Sequence, residues 1–132
     1  MMRSTALTLT LILALCTGVA AADEVSIRQV VLTFEDRAWR ADVTLAHADS
    51  GWDHYADAWR VVDGAGTVLG TRELWHPHVD EQPFTRSLTG LEIPSSIRTV
   101  YIEAHDKVHG WSADRVAIDL LEDSGERYRI HR

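Results

Sequence analysis

Two histidines flank a proline in the stretch RELWHPHVDEQPFTRS, residues 72–87, and two acids, Asp80 and Glu81, follow them. In an extended segment residues two apart point the same way, and Pro77 stiffens the backbone between the rings. His76 and His78 can therefore face one ion. His105 and His109 stand four apart across a turn containing Asp106 and Gly110, a spacing that lets two more rings converge. Imidazole suits zinc, copper and nickel, and carboxylates can complete such a site. The first-choice ligands are His76, His78, His105 and His109. His47 or His54 can replace one of them, and Asp53, Asp80 or Glu81 can supply an oxygen.

Whether these residues meet depends on the elements that carry them. Apolar residues recur with a period of two nearly throughout, which predicts strands over 25–35, 39–46, 55–63, 66–74, 84–88, 97–105 and 114–121. Trp39, Ala41, Val43 and Leu45, for example, share one face of their strand, while Arg40, Asp42 and Thr44 share the other. The DGAG segment at 63–66 is a hairpin signal. About seven short strands with regular turns predict an all-β fold, an antiparallel two-sheet sandwich of immunoglobulin or fibronectin type III-like form. A small barrel is the competing arrangement. Residues 122–132 read as a polar tail, so the sandwich domain is expected over 23–121.

If successive strands run antiparallel, their connections alternate between the two ends of the sandwich. Segments 47–54, 75–83 and 105–111 then share one end, and the plain turns at 63–66 and 89–96 share the other. Six of the seven histidines fall in the first group, with Trp52, Trp75 and Trp111; only His131 lies elsewhere. Loops on a rigid scaffold commonly carry binding residues. The expectation is a loop end that holds Cu(II) or Zn(II), as a carrier, buffer or sensor.

Two other readings use the same residues. Trp52, Trp75 and Trp111 beside acidic loops would also make a metal-free docking face for a partner protein or ligand. Alternatively, histidines, aspartates and arginines form a hydrogen-bonded network that only rigidifies long loops; each imidazole then needs an internal partner. Trp39 and Trp59 belong to the core on this pattern, with Trp59 as its central aromatic. Catalysis has no motif behind it: there is no Gly-x-Ser-x-Gly, no HExxH and, past the leader, no cysteine.

The first 22 residues have the layout of a secretory signal, with Arg3, an apolar stretch over 6–15 and Ala20-Ala21-Ala22 at the expected cleavage site. Lipidation at Cys16 is a minor variant, since bulky Leu15 precedes it. Cleavage would leave 12 of the 13 basic residues against 20 acidic ones, a formal charge of −8. Such a surface repels nucleic acid and anionic lipid and tolerates cations. The expected location is periplasmic or secreted, with no membrane contact after cleavage. The expected partners are a metal ion and an exported protein.

The blocks GWDHYADAW, HPHVDEQPFTRSL and HDKVHG, in that order, resemble a family of small exported proteins of unestablished function. The resemblance spans residues 51–111 and implies that they act as one unit; it supplies no activity. More distantly, the layout is similar to periplasmic copper-handling β-sandwiches, which bind metal through end-loop histidines. The methionines those proteins often use are missing here, because Met1 and Met2 both lie in the leader. That speaks against a Cu(I) carrier.

Overall fold

The computed structural model describes residues 24–132, so the signal sequence expected over 1–22, with Cys16, lies outside the described residues. Eight strands form: β1 Ser26–Glu35, β2 Ala38–Ala46, β3 Ala56–Asp63, β4 Val68–Glu73, β5 Phe84–Leu91, β6 Thr99–Asp106, β7 Gly110–Asp119 and β8 Tyr128–His131. They build two four-stranded sheets, ordered β5-β2-β1-β8 and β4-β3-β6-β7, which is the expected sandwich. Asp36 and Arg37 join β1 to β2 with φ of 50° and 64°, the doubly left-handed turn whose twist suits a two-residue hairpin.

The core comes from the inward halves of the alternating patterns. Leu32, Val43, Leu45, Trp59, Val61, Ile102 and Ile118 are completely or almost completely buried, and Trp59 is the largest of them. Fully burying one such aliphatic side chain stabilises the fold by about 1.5–3 kcal/mol. On β2 the inward file of Ala41, Val43 and Leu45 is buried as expected, while Trp39 is half-buried and packs against the core from its edge.

The polar tail expected over 122–132 ends in a strand. β8 pairs with β1 in parallel, Val30 opposite Tyr128 and Thr33 opposite His131, and it buries Tyr128 and Ile130. Two alternating apolar residues suffice here because local contacts hold the segment. Arg127 bonds the Asp114 carboxylate at 3.0 Å and the Ile27 carbonyl at 2.8 Å. A Cβ on Gly125 would meet the Tyr128 ring at 2.2 Å, so only glycine lets that ring lie flat.

Strand directions put connections 47–55, 74–83 and 107–109 at one end. Leu45 pairs with Phe84 there, and Ala56 pairs with Asp106. The third connection is shorter than the sequence implies. β7 begins at Gly110, whose φ of 77° closes a tight turn, and Trp111 belongs to the strand rather than to a loop.

Candidate metal centre

The inward-facing files of β2 and β6 do not stop at the last apolar residue. After Ala41, Val43 and Leu45 come His47 and Asp49, both buried; after Val100, Ile102 and Ala104 comes Asp106, fully buried. β2 and β6 belong to different sheets. These polar residues therefore cap the core between the sheets, where a hydrophobic side chain would otherwise sit.

Asp49 organises the first connection. Its side chain is fully buried and accepts hydrogen bonds from His47 Nδ1 at 2.6 Å, the Ala56 amide at 2.9 Å and the His78 amide at 2.8 Å. Gln82 adds a clasp: its Oε1 accepts from the His47 amide at 3.0 Å and its Nε2 donates to the His78 carbonyl at 2.9 Å. The 47–55 and 74–83 segments are thus fixed to each other through side chains. Each of these bonds satisfies a group that burial has cut off from water.

Asp106 does the same at the tight turn. Its Oδ1 accepts from the amides of Val108 at 2.9 Å and His109 at 2.8 Å, and from His109 Nδ1 at 3.0 Å. His54 reaches it from the first connection, Nε2 to Oδ1 at 3.2 Å. Burial pulls the Asp106 carboxyl upward, but the amides of His109 and Val108, with the His109 ring, outweigh it and hold the group below its ordinary range. Asp106 is therefore an anion at neutral pH. Its second oxygen, Oδ2, is buried and has no hydrogen-bond partner.

His47, His54 and Asp106 each offer one ligand atom within 4.8 Å of the others, the only such group of three among the described residues. The His47 and His54 rings meet edge-on at 4.8 Å, and the His109 ring lies 5.1 Å from that of His54. Two to three imidazoles and one carboxylate are a donor set suited to Zn(II) or Cu(II).

The four first-choice ligands do not come together. His105 is out of phase with the inward file of β6 and faces outward, with Nδ1 2.5 Å from Asp57 and its ring edge-on to Trp111 at 4.9 Å. His76 and His78 are neighbours, with rings 4.5 Å apart, but form no group of three with the others. They line a depression of about 570 Å³ with Trp52, Asp80 and Glu81. Of the four, only His109 stands beside the cluster. Among the secondary candidates His47 and His54 are in it, whereas Asp53, Asp80 and Glu81 are exposed and outside it. Glu81 instead pairs with Arg86 at 2.9 Å, which lowers its pKa.

Asp106 and Asp49 are the residues the sequence reading missed. Both carried a signal. Asp106 is in phase with Val100, Ile102 and Ala104, and an aspartate opening a turn commonly bonds the amide two residues on. The three tryptophans, expected on one face, are divided: Trp52 packs on Tyr55 at 5.9 Å beside the His76 loop, while Trp75 and Trp111 line a separate groove.

His78 is the costly residue of this end. Its ring lies flat on Phe84 at 4.0 Å, neither ring nitrogen has a hydrogen-bond partner, and Asp49 is 3.8 Å away. Burial, then Arg86 and His76, lowers its pKa from the ordinary 6.5, against the weaker pull of Asp49 and Glu81. A depressed histidine resists protonation in the folded state, so the unfolded chain binds more protons below about pH 6.5 and stability falls with pH. The stability of a His78→Leu variant relative to wild type should therefore rise steadily between pH 7 and pH 5. Urea unfolding at each pH checks this, and a constant difference would remove the argument.

No family model matches the chain, and no solved structure matches it. A protein of Halomicrobium mukohataei named "Putative lipoprotein" is 45% identical over 83 residues, which cover 63% of this chain and 40% of that protein. The chain thus resembles a part of a longer haloarchaeal protein and spans well under half of its length.

Proposed function

We propose that this is an exported β-sandwich that binds one divalent transition metal, Zn(II) or Cu(II), through His47, His54 and Asp106, with His109 as the fourth ligand. Export is supported by the signal layout of residues 1–22 and by the lipoprotein name of the haloarchaeal relative. The observation that carries the metal reading is the approach of one donor atom each from His47, His54 and Asp106 to within 4.8 Å; the Asp106 carboxylate also keeps one buried oxygen, Oδ2, without a hydrogen-bond partner. Tetrahedral bonds of about 2.0–2.2 Å would draw such donors to roughly 3.3 Å; His54 Nε2 is hydrogen-bonded to Asp106 Oδ1 at 3.2 Å, on the same carboxylate as the partnerless Oδ2. Asp49 holds His47 Nδ1 at 2.6 Å, and a carboxylate that orients an imidazole is common for metal-bound histidine. A carrier, buffer or sensor role follows from binding without any catalytic motif beside it.

The rigid-network reading has a specific observation of its own. His47, His54, His105 and His109 each reach an aspartate within 3.2 Å. A finished network, however, leaves no buried polar atom unsatisfied, and Asp106 Oδ2, within the cluster itself, is left so. That favours the metal.

Titration of the tag-free protein with Zn(II) and Cu(II), followed by desalting and elemental analysis, tests the proposal. One ion per chain should be retained, and His54→Ala should weaken binding by about 100-fold or more, beyond the 10–100-fold typical of losing an orienting partner. His76→Ala should retain the ion. Loss in His76→Ala with retention in His54→Ala would overturn the assignment, and no retention by wild type would leave the rigid network.

A further inference from the structure

The outer face of the β4-β3-β6-β7 sheet carries a second arrangement, independent of the metal cluster. Two register shifts meet there. β3 bulges between Ala56 and Ala58, and β6 pairs irregularly with β7 between Glu103 and His105. Bulges re-aim side chains and are common beside functional sites. Here the Asp57 carboxylate reaches His105 Nδ1 at 2.5 Å, while the Asp57 carbonyl accepts from the Leu74 amide at 2.8 Å and anchors the segment leading to Trp75. The result is a groove of about 390 Å³ whose walls include Tyr55, Asp57, Glu73, Trp75, His105 and Trp111.

The aromatic rings of this region share one habit. Arg60 lies over Trp111 at 3.7 Å, Arg115 over Tyr101 at 4.0 Å and Lys107 faces Tyr55 at 5.4 Å. Among the described residues no cation lies over Trp75, which is 72% exposed. It stands in the groove beside the Glu73 carboxylate and the Asp57–His105 pair, while the two cations nearby lie over other rings, Arg60 on Trp111 and Lys107 on Tyr55. Arg60 does not supply the missing charge, being paired with Glu103 at 3.1 Å. An indole face beside carboxylates attracts an organic cation, through the ring quadrupole and through ordinary charge pairing. The volume matches a small ligand rather than a polypeptide.

We propose that this groove binds a small alkylammonium solute, seated on Trp75 with Asp57 and Glu73 as counter-charges. The Asp57–His105 pair fixes one wall and orients the imidazole toward the ligand's polar substituents. The site needs no metal and leaves the cluster at the core's cap untouched.

The probe is choline, compared with its neutral carbon isostere, which has the same shape without the charge. The tryptophan indole N–H resonances of isotope-labelled protein report binding at constant ionic strength. Choline should shift Trp75 and Trp111 saturably, and the isostere should bind at least about tenfold more weakly. Trp75→Ala and Glu73→Gln, both at exposed positions that leave the fold intact, should each weaken choline about tenfold or more, the former read at Trp111. His54→Ala should bind choline like wild type even where metal retention is lost, so the two proposals fail separately. Equal binding of the isostere would overturn the alkylammonium assignment. So would a neutral disaccharide shifting these resonances in its place, or no saturation by about 100 mM choline.

Discussion

Asp49→Ala should be among the most damaging single substitutions in the protein, lowering stability by about 3–5 kcal/mol, the range for breaking a buried ionic or hydrogen-bonded group from one side. The carboxylate has no exposure and three donors converge on it. Truncation strands the Ala56 and His78 amides and the His47 ring nitrogen in a space closed to water. At about 4 °C or more per kcal/mol for a chain of this size, the melting temperature should drop on the order of 15 °C. Asp49→Asn keeps one acceptor oxygen and should lose clearly less. Thermal unfolding of the two variants beside wild type checks the ordering, and equal losses would mean that Asp49 acts through its charge alone.

Asp106→Asn separates folding from metal binding. The amide oxygen can take the place of Oδ1 and keep the Val108 and His109 amides bonded, while the NH2 group replaces the partnerless Oδ2. The cost in stability should be modest, about 1–2 kcal/mol. Metal-dependent stabilisation should disappear. Wild type at a metal concentration of about 100 times Kd should gain roughly 2.7 kcal/mol, and the variant should gain nothing measurable. Urea midpoints with and without Zn(II) give both values. A variant that is stabilised like wild type would take the carboxylate out of the ligand set.

Strand existence and loop placement were legible because both depend on simple periodicity. The file of Ala41, Val43 and Leu45 reads directly as one buried face, and counting strand directions puts the histidine-bearing connections at one end. β8 was not legible, since its four residues alternate only two apolar with two polar ones and its order depends on β1, a hundred residues away in sequence. The residues that converge differ from the first-choice set for a related reason. Alternation along β6 puts His105 on the outer face, onto Asp57, and the tight turn folds the His109 ring back onto Asp106. Extending the β2 and β6 alternation by one step would have pointed to His47 and Asp106.

The direction of β1 has a practical consequence. Ser26 pairs with Ala46, next to His47, and the Val25 amide bonds Ser112 Oγ near the same end. His131, by contrast, lies opposite Thr33, toward the far hairpin. Glu24 therefore stands at the histidine-bearing end of the sandwich, and Arg132 stands away from it. A polyhistidine purification handle joined at Glu24 would add further imidazoles beside the cluster and confuse any metal titration, whereas one joined at Arg132 would leave that end clear.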